Sequence, residues 1–244
     1  MAEGPPLSAE VFDTLFREAA ASEWVQRVLG GDLPPGVDAF SFITLDGLHD
    51  IAVLLAECRG RTLLDLACGR GGPGLWLARQ IGADLVGVDF SAVGIDHARS
   101  RAADIAPDVQ VNYVVADAAN TTLPDDSVDG IVCVDAIQLM TDKIGVLAEV
   151  RRVLRPAGRA VLTTWEESER LADLAALFEA AGLLVVSVEE RPDWLARERA
   201  IYERALTDAP RYPHDAGLQS LAQEAEVALL LSTRRVLGVA KKPR

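Results

Sequence analysis

Residues Leu63 to Leu77 read LLDLACGRGGPGLWL. An apolar run of strand character leads into Gly69, Gly71 and Gly74, spaced G-x-G-x-x-G, and an apolar helical pattern follows. Glycine at 69 and 71 lets the chain turn sharply and brings bare backbone close to a ligand, while the first turn of the next helix offers N–H groups with no partner inside the helix. Pro73 suits that turn because its missing N–H costs nothing there. The spacing alone does not choose the nucleotide: an NAD-dependent dehydrogenase carries it as readily as any other adenosine-binding protein.

Outward from this turn, β-branched runs alternate with helical patterns, which predicts an α/β fold with a mostly parallel sheet covered on both faces. Strands are expected at 61–67, 83–89, 109–117, 128–136, 158–165, 183–190 and 233–240. Helices are expected from Pro73, over 91–106 with Ser91 as its cap, and over 143–154, 167–182, 193–208 and 216–231. Residues 1–60 read as mainly helical, interrupted by GGDLPPGVD (30–38), and form a cap on the domain of 61–244. In such a sheet, ligands sit outside the carboxyl ends of the strands, near the point where strand order reverses.

Composition narrows the partners. With 244 residues, half of them hydrophobic, the chain can bury a full core without disulfide or metal. Cys58, Cys68 and Cys133 form no C-x-x-C pair and read as small buried hydrophobes, so no metal is expected. The net charge of -13, with lysine only at 143, 241 and 242, disfavours a phosphate backbone as substrate. The N-terminus lacks the basic start and apolar run of a signal peptide, and no apolar run is long enough to cross a bilayer, so a cytoplasmic monomer or homodimer is expected.

Three carboxylates bear on the nucleotide. Asp89 ends the second strand about 20 residues past the glycine turn, where it can accept from two ribose hydroxyls. Asp65 lies just before the turn, where a carboxylate faces a pyrophosphate unfavourably and suits a ligand carrying positive charge. Asp117 ends the third strand. A cationic adenosine derivative satisfies all three. None of Tyr113, Tyr202 and Tyr212 has a lysine four residues on, so the Tyr-Lys relay of short-chain dehydrogenases is missing. Singly, Asp65 could cap a turn, Asp117 could start an Asx turn and the glycines could serve helix–strand packing; the joint occurrence carries the cofactor reading.

The segments LLDLACGRGGPG, LVGVDFS, VVADAANTTLPDDSVDGIVCVDAIQLM and EVRRVLRPAGRAVLTTW, in that order, resemble the motifs of class I S-adenosylmethionine-dependent methyltransferases, closely over 61–165. The resemblance implies a Rossmann-like, doubly wound seven-stranded sheet of order 3-2-1-4-5-7-6, its last strand antiparallel, with a helical lid between the last two strands. It implies Asp65, Ala67, Gly69 and Gly71 at the methionine and ribose part of the cofactor, and Asp89 at the ribose diol. Phe90 would pack on adenine, Asp117 would take its amino group with the Ala118 N–H facing the ring, and Asp135 to Gln138 would line the methyl side. The product would be S-adenosylhomocysteine. The overall look is similar to bacterial methyltransferases of natural-product pathways.

Methyl transfer from a sulfonium is an in-line displacement, so holding the acceptor and excluding water matter more than a base. Related small-molecule O-methyltransferases often place a histidine just after strand four; here Gln138 stands at about that place and can orient an acceptor by hydrogen bonding. His214, in the loop of a substrate lid, and Glu166, directly after strand five, are the other candidates, while His49 and His97 read as surface or helix residues. Phe40, Phe42, Trp165, Trp194 and Tyr202, with Trp24 and Tyr212, supply aromatics for a hydrophobic or ring-containing acceptor, or bury the lid against the sheet. The N/D-P-P-Y/F tetrapeptide of many exocyclic-amine methyltransferases is absent. O-methylation of a small metabolite therefore leads; N- or C-methylation, or a binding or cyclisation role on the same fold, stay open.

Overall fold

The computed structural model describes residues 8–31, 33–34, 37–167 and 173–244. Seven strands among them form one sheet: β1 (Thr62–Leu66), β2 (Asp84–Asp89), β3 (Val111–Val115), β4 (Val128–Val134), β5 (Leu154–Glu167), β6 (Leu184–Glu190) and β7 (Thr233–Lys241). Their order is β3-β2-β1-β4-β5-β7-β6. β1 to β5 are parallel, and β7 runs antiparallel between β5 and β6. Strand order therefore reverses between β1 and β4, which puts a crevice at their carboxyl ends.

Alternation along β1 splits the core. Leu63 joins an apolar cluster on one face, with α3 (Leu45–Leu54), α4 (Gly72–Ile81) and α5 (Ala92–Ile105); Leu64 and Leu66 join the cluster on the other, with α6 (Lys143–Val153) and α7 (Leu174–Ala180). A third cluster joins α1 (Ala9–Ala21) and α2 (Glu23–Gly30) to α8 (Pro192–Asp208) and α9 (Ala216–Ala228). Ser22 donates to Asp215 at 2.9 Å and Trp24 Nε1 to Asp208 at 2.9 Å, tying the N-terminal helices to the late ones. Among the described residues no helix is long and apolar enough to cross a membrane.

Three expected elements change their bounds. The strand expected at 158–165 runs from Leu154 to Glu167, because Leu154 pairs with Val128 and Glu167 with Thr233. The helix expected over 167–182 begins at Leu174, capped by Asp173 accepting from the Ala176 N–H at 2.9 Å; residues 168–172 of that expectation lie outside the described residues. So do Asp32, Pro35 and Gly36 of the expected 30–38 loop and residues 1–7. The strand expected at 109–117 is held to 111–115 by its ladder with β2.

Candidate active site

A cavity of about 550 Å³ opens at the carboxyl ends of β1 to β5 and is roofed by α1, α8, α9 and the 38–42 segment. Asp65, Ala67, Gly69, Asp89, Phe90, Asp117, Ala118, Asp135 and Gln138 all line it. Phe40, Phe42, Trp165 and Tyr202 line it as well.

At the glycine turn, sequence and packing explain each other. Gly71 has φ +81°, and a Cβ there would lie 2.6 Å from the Tyr113 hydroxyl, so Gly71 shapes the turn from behind without lining the cavity. A Cβ at Gly74 would meet the Asp65 carboxyl, its nearest oxygen only 2.2 Å away. Gly74→Ala gains about 1 kcal/mol of helix propensity and loses about 1–3 kcal/mol to overpacking. A net fall in melting temperature is expected by thermal unfolding; an unchanged or higher one would show that Asp65 is free to move. Ala67, with φ 58°, and Asp135, with φ 51°, are non-glycine residues in the left-handed region, both at strand ends on the cavity.

The electrostatics are those of an anionic site. Asp65 is 2% exposed; burial and then repulsion from Asp89 push its pKa up to about 8 against the pull of the Gly74 N–H, and its Oδ2 has no hydrogen-bond partner. Asp89 accepts from the N–H groups of Gly69 and Ser91, both at 2.8 Å, and burial outweighs them to raise its pKa. Asp117 accepts from the Ala119 N–H at 2.7 Å, an Asx turn that leaves its other oxygen for a ligand. An orphaned buried carboxylate oxygen beside a second carboxylate fits a ligand that brings an ammonium or sulfonium, and opposes a pyrophosphate.

On the β4 side, Asp135 accepts from Thr163 Oγ1 at 2.6 Å, from Arg235 at 2.5 Å and from the Phe42 N–H at 3.2 Å. Arg235, 1% exposed, also donates to Glu198 at 2.7 Å. Gln138 donates to the Asp135 carbonyl at 2.7 Å and accepts from Thr164 at 2.8 Å, leaving one amide proton free for an acceptor.

Several sequence candidates stand elsewhere. His214 is exposed in the turn before α9 and does not line the cavity. Glu166 is held by Arg234 at 2.8 Å and by the Leu174 N–H at 2.6 Å, outside the cavity, because the β5–β7 ladder carries it past the strand ends. Trp194 is 3% exposed in the core, where its ring fills the space a side chain at Gly47 would need. Trp24 is buried in the lid cluster, and Tyr212 is 49% exposed.

The sequence reading missed Phe12, Phe16, Arg70 and Glu224, all lining the cavity. Rings of Phe90, Phe12, Phe16 and Phe40 follow one another with centroids 5.3, 5.7 and 5.5 Å apart. The one signal for them was the i, i+4 spacing of Phe12 and Phe16, which puts both on one face of α1.

Residues 63–158 match the methyltransferase domain family. The matched stretch runs from β1 into β5 and carries the glycine turn together with Asp65, Asp89 and Asp117. The chain is 32% identical to methyltransferase GfsG of Streptomyces halstedii over 61% of this chain and 53% of that protein. It is also 32% identical to O-methyltransferase cnsE of Penicillium expansum over 54% and 50% respectively. The chain thus spans about half the length of the curated relatives it matches. Among solved structures, the [4+2]-cyclase SpnF shares the fold with a TM-score of 0.69 at 20% identity, covering 97% of this chain and 96% of that one.

Proposed function

We propose that this domain methylates an oxygen of a small, hydrophobic or ring-containing metabolite, by proximity and orientation. One observation carries the reading: a single cavity joins strand-end carboxylates suited to a cationic adenosine compound to a wall of aromatic side chains. When bound, S-adenosylmethionine supplies a methyl group on a sulfonium. In this reading Asp65 holds the ammonium of its amino-acid end, Ala67, Gly69 and Gly71 shape the turn beside it, and Asp89 takes the ribose diol. Phe90 covers the adenine, with Asp117 and the Ala118 N–H at its edge. Asp135 and Gln138 face the methyl side, where the Gln138 amide orients the acceptor. Residues 1–60 serve as a cap that excludes water from the site on 61–244.

With His214 and Glu166 away from the cavity, orientation takes the leading role. The name of the Penicillium relative supports transfer to oxygen. The near-complete overlap with a cyclase supports the second reading, a pocket that shapes a substrate without methylating it. Isothermal titration with S-adenosylmethionine, S-adenosylhomocysteine and NAD tests the cofactor side, with micromolar binding of the first two and none of NAD expected. Labelled methyl transfer to a panel of hydroxyarenes, arylamines and electron-rich arenes then separates the two readings. Tight cofactor binding with no transfer to any hydroxyl, amine or carbon acceptor would favour the second.

A further inference from the structure

We propose that the cavity wall around Glu224 selects acceptors presenting a hydrogen-bond donor, as an uncharged hydroxyl or an ammonium, and rejects carboxylates and phosphates. The inference rests on the reading that the cavity takes cofactor and acceptor together.

Glu224 reaches the cavity from α9 and accepts the Tyr202 hydroxyl of α8 at 2.7 Å. A carboxylate has about four acceptor positions, so one hydroxyl leaves most of it open to water or to a ligand. Its place is fixed relative to the β4 end by a short chain of contacts. The Phe42 N–H donates to Asp135 at 3.2 Å, the Phe42 ring meets Tyr202 with centroids 5.0 Å apart, and Tyr202 holds Glu224. Leu29, Leu221 and Phe42 supply apolar surface nearby on the same lining.

Charge decides what this wall admits. Among the described lining residues, the cations are Arg70 and Arg235. Arg70, beside the glycine turn, is paired through one nitrogen to Asp38 at 2.6 Å and keeps two buried nitrogens without a partner, and Arg235 is divided between Asp135 and Glu198 at 2.5 and 2.7 Å. Arg235 has spent its charge on two carboxylates, and only its buried Nε lacks a partner, a donor suited to a neutral oxygen. Glu224 has no cation bonded to it. Glu224 is an exposed residue on the cavity lining, so its remaining acceptor positions are held by water until a donor from the ligand replaces it. An anionic acceptor would add charge of the wrong sign to a wall that already holds Asp135 and Glu224.

Three probes on one naphthalene ring system test this: 2-naphthol, 2-naphthylmethylamine and 2-naphthoate, titrated calorimetrically at pH 7.5 into the protein saturated with S-adenosylhomocysteine. Wild type should bind the naphthol and the amine at least tenfold more tightly than the naphthoate. Glu224→Gln should weaken the amine about tenfold and strengthen the naphthoate, with S-adenosylhomocysteine affinity unchanged. Equal binding of the three, binding of none, or an unaltered ranking in Glu224→Gln overturns the proposal. Should Glu224→Gln not fold, the wild-type ranking alone decides. Failure of wild type to bind S-adenosylhomocysteine in the loading step strikes instead at the cofactor reading beneath it.

Discussion

Arg235→Met should cost the protein about 3–5 kcal/mol of stability, the largest single loss expected from any one side chain on the cavity. The guanidinium is 1% exposed and holds Asp135 and Glu198, whose side chains are 5% and 7% exposed. Its removal leaves two carboxylates buried with no cation between them. Methionine fills much of the volume, so the loss measures charge and not a cavity. The pH dependence has a definite sign. Burial already raises the Glu198 pKa against the pull of Arg235, and losing that pull raises it further. A carboxyl whose folded pKa lies above its unfolded value supplies stability below the unfolded pKa and loses it as pH rises through the folded one. The deficit of Arg235→Met should therefore be smaller at pH 5 than at pH 8, by chemical denaturation at each. Adding Glu198→Gln should recover part of it at pH 8. An equal deficit at both pH values would mean that the carboxylates find other partners.

The parts legible in the sequence are those with local causes. Strand and helix alternation, the glycine turn and acids at the ends of β1, β2 and β3 depend on residues adjacent in the chain, and the sheet order followed from motifs that carry it. What escaped depends on distant pairing. Glu166 reads as a strand-end acid, yet Arg234, 68 positions on, continues the ladder and takes it. Trp194 and Tyr202 lie on the same helix and differ only in which neighbour they face: Trp194 fills the space over Gly47, while Tyr202 turns to Phe42 and Glu224 at the cavity. Aromatic content predicts that apolar surface is buried and not which cavity it lines. Glu224 was invisible for a related reason: on an amphipathic helix, a glutamate reads as solvated until the tyrosine that binds it is placed opposite.

Asp65→Asn should remove the pH dependence of cofactor binding. In the free protein the Asp65 pKa stands at about 8, raised by burial and by Asp89, so at pH 6–7 the carboxyl is mostly protonated. A ligand placing an ammonium against Oδ2 favours the ionised form and must displace that proton. Affinity for S-adenosylhomocysteine, which carries the ammonium and no sulfonium, should then rise roughly 50-fold from pH 6 to pH 8, with about one proton released per binding event near pH 7. Calorimetry in buffers of different ionisation enthalpy counts that proton. In Asp65→Asn the slope should vanish, and affinity at pH 8 should fall about 10- to 100-fold, as expected for a lost charge-assisted hydrogen bond. Stability moves the other way. Because its folded pKa is raised, Asp65 stabilises the free protein fully only below about pH 4 and loses that contribution as pH climbs through 8. The free asparagine variant should therefore be more stable than wild type at pH 9 while binding its ligand more weakly, the trade expected where a carboxylate is kept in an unfavourable place for a cation to find. A pH-independent affinity in wild type would remove Asp65 from the ligand's ammonium and leave its burial without a functional account.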